Sequence, residues 1–198
     1  MLTRLAVGHY SLAVADVSVR PARPADVGEI ARIQLLTWRT AYATVVPAHV
    51  LDRLTLDDMA APWAAAVGSP PSAQHHVLMA SENNVPVGFA ALGPAEDEGL
   101  DPATTGLVTT LLIEPRWGRR GHGSRLLAAT VDLLRADGAT TMVTWIFDRD
   151  PASRSFYTSA GWAPDGAARL LDMNGQLVSE IRLHASLDEP IEEQPGTP

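Results

Sequence analysis

The chain has 198 residues, 46% of them hydrophobic and 19% charged, which is typical of one folded globular domain with a sizeable core. Its formal net charge of −8 argues against general nucleic-acid binding, and no apolar run approaches the roughly 20 residues of a membrane span. Since the chain has no cysteine, disulfides, thiolate catalysis and cysteine-ligated zinc are excluded, and the six histidines show no metal-ligand spacing.

The first predicted helix follows a strand and carries one apolar face. Residues 1–16 precede any recognisable element and are expected to form an N-terminal arm, and residues 17–20 are expected to form the first strand of the core. A helix begins at Pro24, and its apolar residues recur at helical spacing along one stripe. That stripe consists of Val27, Ala31, Leu35, Trp38 and Tyr42.

A second helix, a hairpin and an acidic loop follow. The helix is expected over residues 56–67, and the two hairpin strands over residues 76–80 and 87–92. Residues 93–105 form a loop that leads into the next strand and carries a cluster of acidic side chains. Such a cluster is either a solvated surface or a surface that attracts a cationic amine. Its members are Glu96, Asp97, Glu98 and Asp101.

An apolar strand, a basic turn and the start of a helix predict an anion-binding site. The strand ends at Ile113, two residues before Pro115, and a helix is expected over residues 124–136. This order gathers main-chain N–H groups and the positive end of the helix dipole around one point, which Gly121 and Gly123 allow a ligand to approach closely. The turn is therefore interpreted as a pyrophosphate site, to which positive charge is added by Arg119, Arg120 and Arg125.

The glycine pattern of this turn excludes two common pyrophosphate motifs. A dinucleotide fingerprint requires a third glycine where this chain has Leu126, and a P-loop ends in Gly-Lys-Ser/Thr where this turn ends in Gly-Ser-Arg. Four positions of the turn, Ile113, Pro115, Gly121 and Gly123, match a third pattern. In this they resemble the coenzyme A loop of the GNAT family of N-acetyltransferases. Gly118 stands where that loop usually has glutamine or arginine, and the adjacent arginines are expected to compensate for the missing side chain.

A second block strengthens the resemblance. Asp150 at the N-cap, Pro151 at the first helical position and Gly161 after the last turn predict a short helix. It resembles the GNAT pattern of Asn, two residues, Ala, two residues and Phe-Tyr, and its first face carries Asp150, Ser153 and Tyr157. The other face is expected to point to the core and consists of Ala152, Phe156 and Ala160.

The C-terminal part predicts a strand over residues 140–147, a hairpin around Asn174-Gly175 and an acidic tail. The resemblance covers nearly the whole chain and implies an α/β (α+β) GNAT fold, in which a mixed central sheet of about six or seven strands is flanked by about four helices. The expected organisation is an arm over residues 1–16, a GNAT domain over residues 17–186 and a disordered acidic tail over residues 187–198.

The resemblance implies an N-acetyltransferase that moves an acetyl group from acetyl-CoA to a primary amine of a small molecule or peptide by direct attack. Tyr157 holds the family's tyrosine position, where it either protonates the departing thiolate or packs against the cofactor. The family's usual glutamate base is absent, because that position is Leu107. Trp38 and Tyr42 lie where the family lines its acceptor pocket, although aromatic residues at this spacing also form cores.

The cofactor contacts implied by the resemblance come from the central strand, the basic turn and the short helix, and no metal ligand is expected. Main-chain N–H groups of the strand would polarise the thioester carbonyl. The expected contacts are Leu111, Leu112, Ile113, Gly118, Arg119, Arg120, Gly121, His122, Gly123, Ser124, Asp150, Ser153 and Phe156.

One alternative to an enzyme is a non-catalytic sensor or regulatory module that binds acyl-CoA. The absent glutamate favours this alternative, and the retained tyrosine disfavours it. The expected partner is the amine substrate, and no binding to nucleic acid or to a membrane is expected. The absence of a secretory signal pattern predicts a cytoplasmic protein. In the GNAT family the final strands often form dimers, so a homodimer is the expected assembly if the chain self-associates.

Overall fold

Seven strands form one mixed sheet in a computed structural model of the chain, which describes residues 16–187. Most of the expected arm, and the expected tail beyond Leu187, therefore lie outside the described residues. The strands are β1 (Val17–Pro21), β2 (His76–Glu82), β3 (Val85–Pro94), β4 (Thr105–Ile113), β5 (Thr141–Phe147), β6 (Ala163–Met173) and β7 (Gln176–Ser186). Their order is β1-β2-β3-β4-β5-β7-β6, and only the β4–β5 pair is parallel.

Helices cover both faces of this sheet, and the expected fold is confirmed. One face carries α1 and α3, the other carries α4, and α5 packs beside β5. In the described part of the chain, no helix has both the length and the apolar character needed to cross a membrane. The helices are α1 (Val27–Ala41), α2 (Ala48–Leu51), α3 (Leu56–Gly68), α4 (His122–Ala136) and α5 (Pro151–Ser159).

The parallel strands β4 and β5 pair over only part of their length. Their register joins residues 105–108 to residues 141–144 and ends there. β4 also has a bulge against β3, because Ala91 lies opposite Thr110 while Leu92 lies opposite Val108, which leaves one extra residue in β4. Beyond the bulge the two parallel strands separate, so the main chain of β4 borders an opening at the end that leads to α4.

The core has two layers because alternate strand residues point to opposite faces of the sheet. Leu126 of α4 packs with Val108 on one face, and Ile33 of α1 packs with Phe89 on the other. All four of these side chains are fully buried. Truncation of a buried phenylalanine to alanine costs about 3–5 kcal/mol, so a Phe89→Ala variant is expected to lose much of the chain's stability.

The expected core face of α5 is only partly confirmed. Phe156 packs against the core, but Ala152 and Ala160 are exposed, and Tyr157, on the other predicted face, is buried. The Tyr157 ring packs edge-on against Trp162 at 4.9 Å between ring centroids. A large aromatic ring removes far more apolar surface from water than two alanine methyl groups, and it therefore decides which side of the helix faces the sheet.

The buried residues of α1 include two of the expected stripe and two isoleucines beside it, namely Ala31, Leu35, Ile30 and Ile33. One boundary needs correction. Leu187, the first residue of the expected tail, is buried, and its N–H donates to the carbonyl of Thr140 at 2.8 Å. The folded domain therefore includes Leu187, because the chain continues along β5 for one residue beyond β7.

Candidate active site at the strand opening

A cavity of about 110 Å³ lies where β4 and β5 separate. Its walls come from α1, β4, β5, α5 and β7, which are far apart in sequence. The structure thus brings together residues that the sequence assigned to an acceptor pocket and residues that it assigned to a cofactor site. These residues are Trp38, Tyr42, Leu111, Leu112, Ser153 and Tyr157.

Aromatic rings form one wall of this cavity. Trp38 and Tyr42 lie 6.3 Å apart, and both meet Phe147 edge-on, at 6.5 Å and 5.1 Å between centroids. Trp145 lines the cavity two residues earlier on β5, and its Nε1 donates to Asp97 Oδ1 at 3.1 Å. Since each edge-on ring pair contributes about 0.5–1.5 kcal/mol beyond its buried area, the wall is ordered before any ligand binds.

Tyr157 presents its hydroxyl group at the base of the cavity. The side chain is only 5% exposed, and its hydroxyl is hydrogen-bonded to that of Thr144. Burial raises the pKa of Tyr157 well above its ordinary value of 10; the hydrogen bond to Thr144 opposes this rise, and the nearby Tyr42 adds to it. Tyr157 therefore keeps its proton at neutral pH and is equipped to act as a proton donor.

A chain of hydrogen bonds fixes the α5 side of the cavity. The Tyr42 hydroxyl is hydrogen-bonded to Ser153, whose Oγ donates to the Asp150 carboxylate. Burial, with the negative charge of Asp150 next in size, raises the pKa of Tyr42 to about 12. Asp150 also accepts the N–H groups of Ala152 and Ser153 at 3.0 Å and 3.2 Å, which caps α5. The Asp150 side chain thus positions Ser153 and Tyr42.

Beyond the C-terminal end of β4, the N-terminus of α4 is open. Gly121 is its N-cap residue, with a φ of 81°, and no side chain caps the first turn. The N–H groups of this turn are consequently available to an anion, and the helix dipole favours negative charge there. A Cβ on Gly123 would lie 3.2 Å from Cε2 of Phe156, so only glycine lets α5 pack this closely beside the turn.

The basic turn supplies positive charge with little burial. Gly118, Arg119, Arg120 and Gly121 are exposed, as is Ser124 in the first turn of α4. Within residues 16–187, Arg119 takes part in no ion pair, whereas the Arg120 guanidinium lies 4.8 Å from the centre of the Trp117 ring. These groups, together with the open helix N-terminus, fit the pyrophosphate of coenzyme A.

His122 is placed differently from the other residues of the turn. Its ring is 1% exposed, and its Nε2 lies 2.8 Å from Glu82 Oε2 in the core. Only the main-chain N–H of His122 faces the open end of α4. Ile113 likewise packs its side chain into the core and leaves its main chain to border the opening.

Two features of the site were missed by sequence reasoning. Glu180 of β7 lines the small cavity and is 8% exposed. A second cavity, of about 560 Å³, adjoins the first at Thr109 and lies between α3 and the sheet. Two of the four acidic loop residues, Glu96 and Asp97, line this larger cavity. No local pattern marks Glu180, because its role depends on the register of β7 against β5.

Comparisons with known proteins agree with this geometry. The model of the Acetyltransferase (GNAT) family matches residues 34–162. An uncharacterised N-acetyltransferase of Bacillus subtilis (strain 168), YuaI, is 30% identical over 138 residues, which is 69% of this chain and 75% of that protein.

Two solved structures share the fold. YncA, a putative acetyltransferase from Salmonella typhimurium with its cofactor acetyl-CoA, superposes with a TM-score of 0.64 at 23% identity, over 88% of this chain and 96% of that one. The PaiA N-acetyltransferase from Thermoplasma acidophilum, in complex with coenzyme A, has a TM-score of 0.67 at 13% identity, over 86% and 99% of the two chains.

Proposed function

Because the chain belongs to the GNAT family of acetyltransferases, we propose that it transfers an acetyl group from acetyl-CoA to a primary amine of a small molecule or peptide by direct attack. The observation that carries this proposal is the opening between β4 and β5. It has an uncapped helix N-terminus at one end and a cavity with a protonated, buried tyrosine at its base.

The open end of α4 binds the donor in this proposal. The N–H groups of His122, Gly123 and Ser124 receive the pyrophosphate, while Arg119 and Arg120 add longer-range attraction. When bound, acetyl-CoA supplies an activated thioester. Residues 111–113 of β4 face no neighbouring strand on the β5 side. Because main-chain N–H groups alternate between the two sides of a strand, those on the β5 side would stabilise negative charge on the thioester oxygen.

Tyr157 is the proton donor in this proposal. Its buried hydroxyl lies in the same cavity as the part of β4 that has no partner strand on the β5 side. Because the pKa of Tyr157 is raised, the hydroxyl keeps its proton until a stronger base than water forms beside it. A thiolate that leaves the carbonyl carbon is such a base. The ordered ring contacts of Tyr157 with Phe156 and Trp162 hold the hydroxyl in one position.

The acceptor approaches from the α1 and α3 face of the sheet. Residues of α1 line the smaller cavity and residues of α3 line the larger one, and both cavities share Thr109, the extra residue of the bulge. The smaller cavity has room for an amine head group, and the larger one for the body of a small molecule or for the end of a peptide. A cytoplasmic location and a homodimer complete the proposal and are tested by cell fractionation and light scattering.

Release of thiol from acetyl-CoA, followed with a thiol-reactive dye, tests the proposal directly. Since the chain has no cysteine, the protein adds no background to the signal. The panel consists of polyamines, amino acids, aminoglycosides and short peptides with varied N-termini. Release with one class of amine supports the proposal and names the acceptor class. No release with any amine, while calorimetry still detects acetyl-CoA binding, would instead support the sensor module, which Leu107 at the family's base position favours.

A further inference from the structure

Glu180 is a buried carboxylate on the acceptor side of the opening. It lies on β7 opposite Phe147 of β5, next to the point where β5 has lost contact with β4. Its Oε2 accepts a hydrogen bond from Arg169 Nε at 2.6 Å. Its other oxygen, Oε1, takes part in none of the hydrogen bonds formed among residues 16–187, so one carboxylate oxygen is free to bind a ligand in the cavity.

The groups around Glu180 make this cavity suited to a cation. Apart from Tyr42 and Tyr157, which keep their protons at neutral pH, Glu180 is the one acidic or basic side chain among the residues that line this cavity. Charged groups nearby are Arg169 of β6, which is paired with Glu180, and Asp150 at the start of α5, whose charge acts on Tyr42. Arg182 of β7 is held at 2.6 Å by Asp165 and lies 5.5 Å from the centre of the Trp145 ring, and Asp97 accepts the Nε1 hydrogen of that ring.

Aromatic rings complete the enclosure. Trp38, Tyr42, Trp145 and Phe147 line the same cavity, and ring faces attract cations when water is excluded. Trp145 already shows this behaviour, because the Arg169 guanidinium lies 4.3 Å from the centre of its ring. A carboxylate surrounded by aromatic rings is an arrangement that binds an ammonium group.

We propose that Glu180 binds the ammonium group of the acceptor and removes its proton, which makes the acceptor a cationic primary amine. The inference rests on the proposed function and names the residue that replaces the missing base. The family's usual position for that base is Leu107, an apolar residue that lines the larger cavity. That cavity is lined by apolar residues such as Trp63 and also by Glu96 and Asp97, so it suits a cationic amine with a largely apolar body.

An N–H bond of the ammonium breaks and an O–H bond forms on Glu180, which frees the nitrogen lone pair. This pair forms the new C–N bond at the thioester carbonyl carbon, and the electrons of the C–S bond leave with sulfur. Tyr157 gives its proton to sulfur, and a second N–H proton of the nitrogen restores Tyr157. The net products are an amide, a thiol and one proton, which Glu180 returns to water.

Binding of an ammonium probe tests the first half of the inference without turnover. Calorimetry measures the dissociation constants of 2-phenylethylamine and of its neutral analogue 2-phenylethanol for the protein saturated with coenzyme A. The wild-type protein is expected to prefer the amine, and Glu180→Gln to lose about tenfold or more of this preference, as for the loss of one partner of a buried ion pair. Equal preference in the two proteins, or none in the wild type, would overturn the inference.

A matched control separates this effect from disturbance of the β6–β7 hairpin. Asp165→Asn breaks the other arginine–carboxylate pair of the hairpin, between Asp165 and Arg182, outside the cavity lining. It is expected to keep the wild-type preference for the amine. Should Glu180→Gln fail to fold because Arg169 is left unpaired, the double variant Glu180→Ala, Arg169→Ala removes both charges and is expected to show the same loss.

The pH dependence of kcat/KM tests proton removal with the best acceptor of the thiol-release panel. The wild-type enzyme reacts with the ammonium form, so near neutral pH its kcat/KM is expected not to follow the neutral fraction of the amine. The Glu180→Gln variant is expected to react only with the neutral amine, so its kcat/KM should rise with the neutral fraction of the amine. Its kcat is expected to fall about 100-fold or more. Wild-type turnover with an unchanged Glu180→Gln profile overturns the base while the acetyltransferase stands. Absence of wild-type turnover overturns the proposed function, and the calorimetry still decides whether Glu180 binds an ammonium group.

Discussion

The two ends of the strand opening are built in opposite ways. The cradle at the start of α4 is made by one continuous segment, from the end of β4 through Gly123, and relies on main-chain N–H groups. The proposed acceptor cavity is made by side chains from five elements that span Gln34 to Glu180. A main-chain site tolerates many side chains but few changes of backbone, whereas a side-chain site depends on the identity and register of each residue.

The largest effect is expected from a change that fills the cradle. In Gly123→Val the new side chain begins at a Cβ only 3.2 Å from the Phe156 ring and pushes α5 away from the first turn of α4. Calorimetry is expected to show acetyl-CoA affinity reduced by about 100-fold, roughly 2.7 kcal/mol, with thiol release lost in parallel.

Gly28→Ala is the control for this change. Gly28 lies in α1, and no atom is within 4 Å of a Cβ placed there. Alanine is expected to leave acetyl-CoA affinity unchanged and to stabilise the helix slightly. Wild-type affinity in Gly123→Val would show that the cradle does not depend on close backbone packing, and the contrast between the two ends of the opening would fail.

The next largest effect is expected at Tyr157, where the two ends of the strand opening meet. Tyr157→Phe keeps the ring that packs on Trp162 and removes only the hydroxyl, so kcat is expected to fall about tenfold or more with acetyl-CoA affinity unchanged. Because burial raises the pKa of Tyr157, the wild-type kcat is expected to hold until the pH exceeds the ordinary tyrosine value of 10. Steady-state kinetics across pH measures both quantities.

Tyr42→Phe is the matched hydroxyl deletion for Tyr157. It removes the hydrogen bond to Ser153 on the acceptor wall, and its main effect is expected in the KM for the amine rather than in kcat. Equal losses of kcat in the two variants would mean that Tyr157 has no special part in proton transfer and only packs in the core.

An intermediate effect is expected from the cap of α5. Asp150→Ala removes an N-cap and is expected to cost about 1 kcal/mol of stability in urea unfolding. Thr55→Ala removes the cap of α3, where Thr55 Oγ1 accepts the Asp58 N–H at 3.2 Å, and is expected to cost a similar amount.

The two cap variants differ in what else they touch. Only Asp150 also holds Ser153 and, through it, Tyr42, so only Asp150→Ala is expected to raise the KM for the amine. If both variants change the kinetics equally, the effect comes from lost stability and not from the wall of the cavity.

The same contrast explains what could be predicted from sequence. The cradle was predictable because its strand, turn and helix start are consecutive, and the hairpin turn at Asn174-Gly175 was predictable because both residues adopt positive φ. Glu180 was not, since nothing in the sequence shows that β7 inserts between β5 and β6.

The inward face of α5 was predicted only in part, because Phe156 packs against the core but Ala152 and Ala160 do not. The helical spacing fits either face of so short a helix, and the choice depends on Trp162 and β5, which bury the ring of Tyr157. The resemblance predicted Tyr157 as the acid, and this role stays a prediction, but only the fold shows that the side chain is deeply buried.

The smallest effect is expected from the charges of the turn. If main-chain groups supply most of the binding energy, Arg119→Gln should raise the dissociation constant of acetyl-CoA by only about threefold, because an exposed charge is screened by solvent and salt. The difference from wild type should shrink further as salt is added. Arg154→Gln, which breaks an exposed pair with Asp148 away from the turn, is the control and should leave the affinity unchanged. If Arg119→Gln reduces acetyl-CoA affinity as much as Gly123→Val does, side chains hold the pyrophosphate. Both ends of the opening would then depend on side chains.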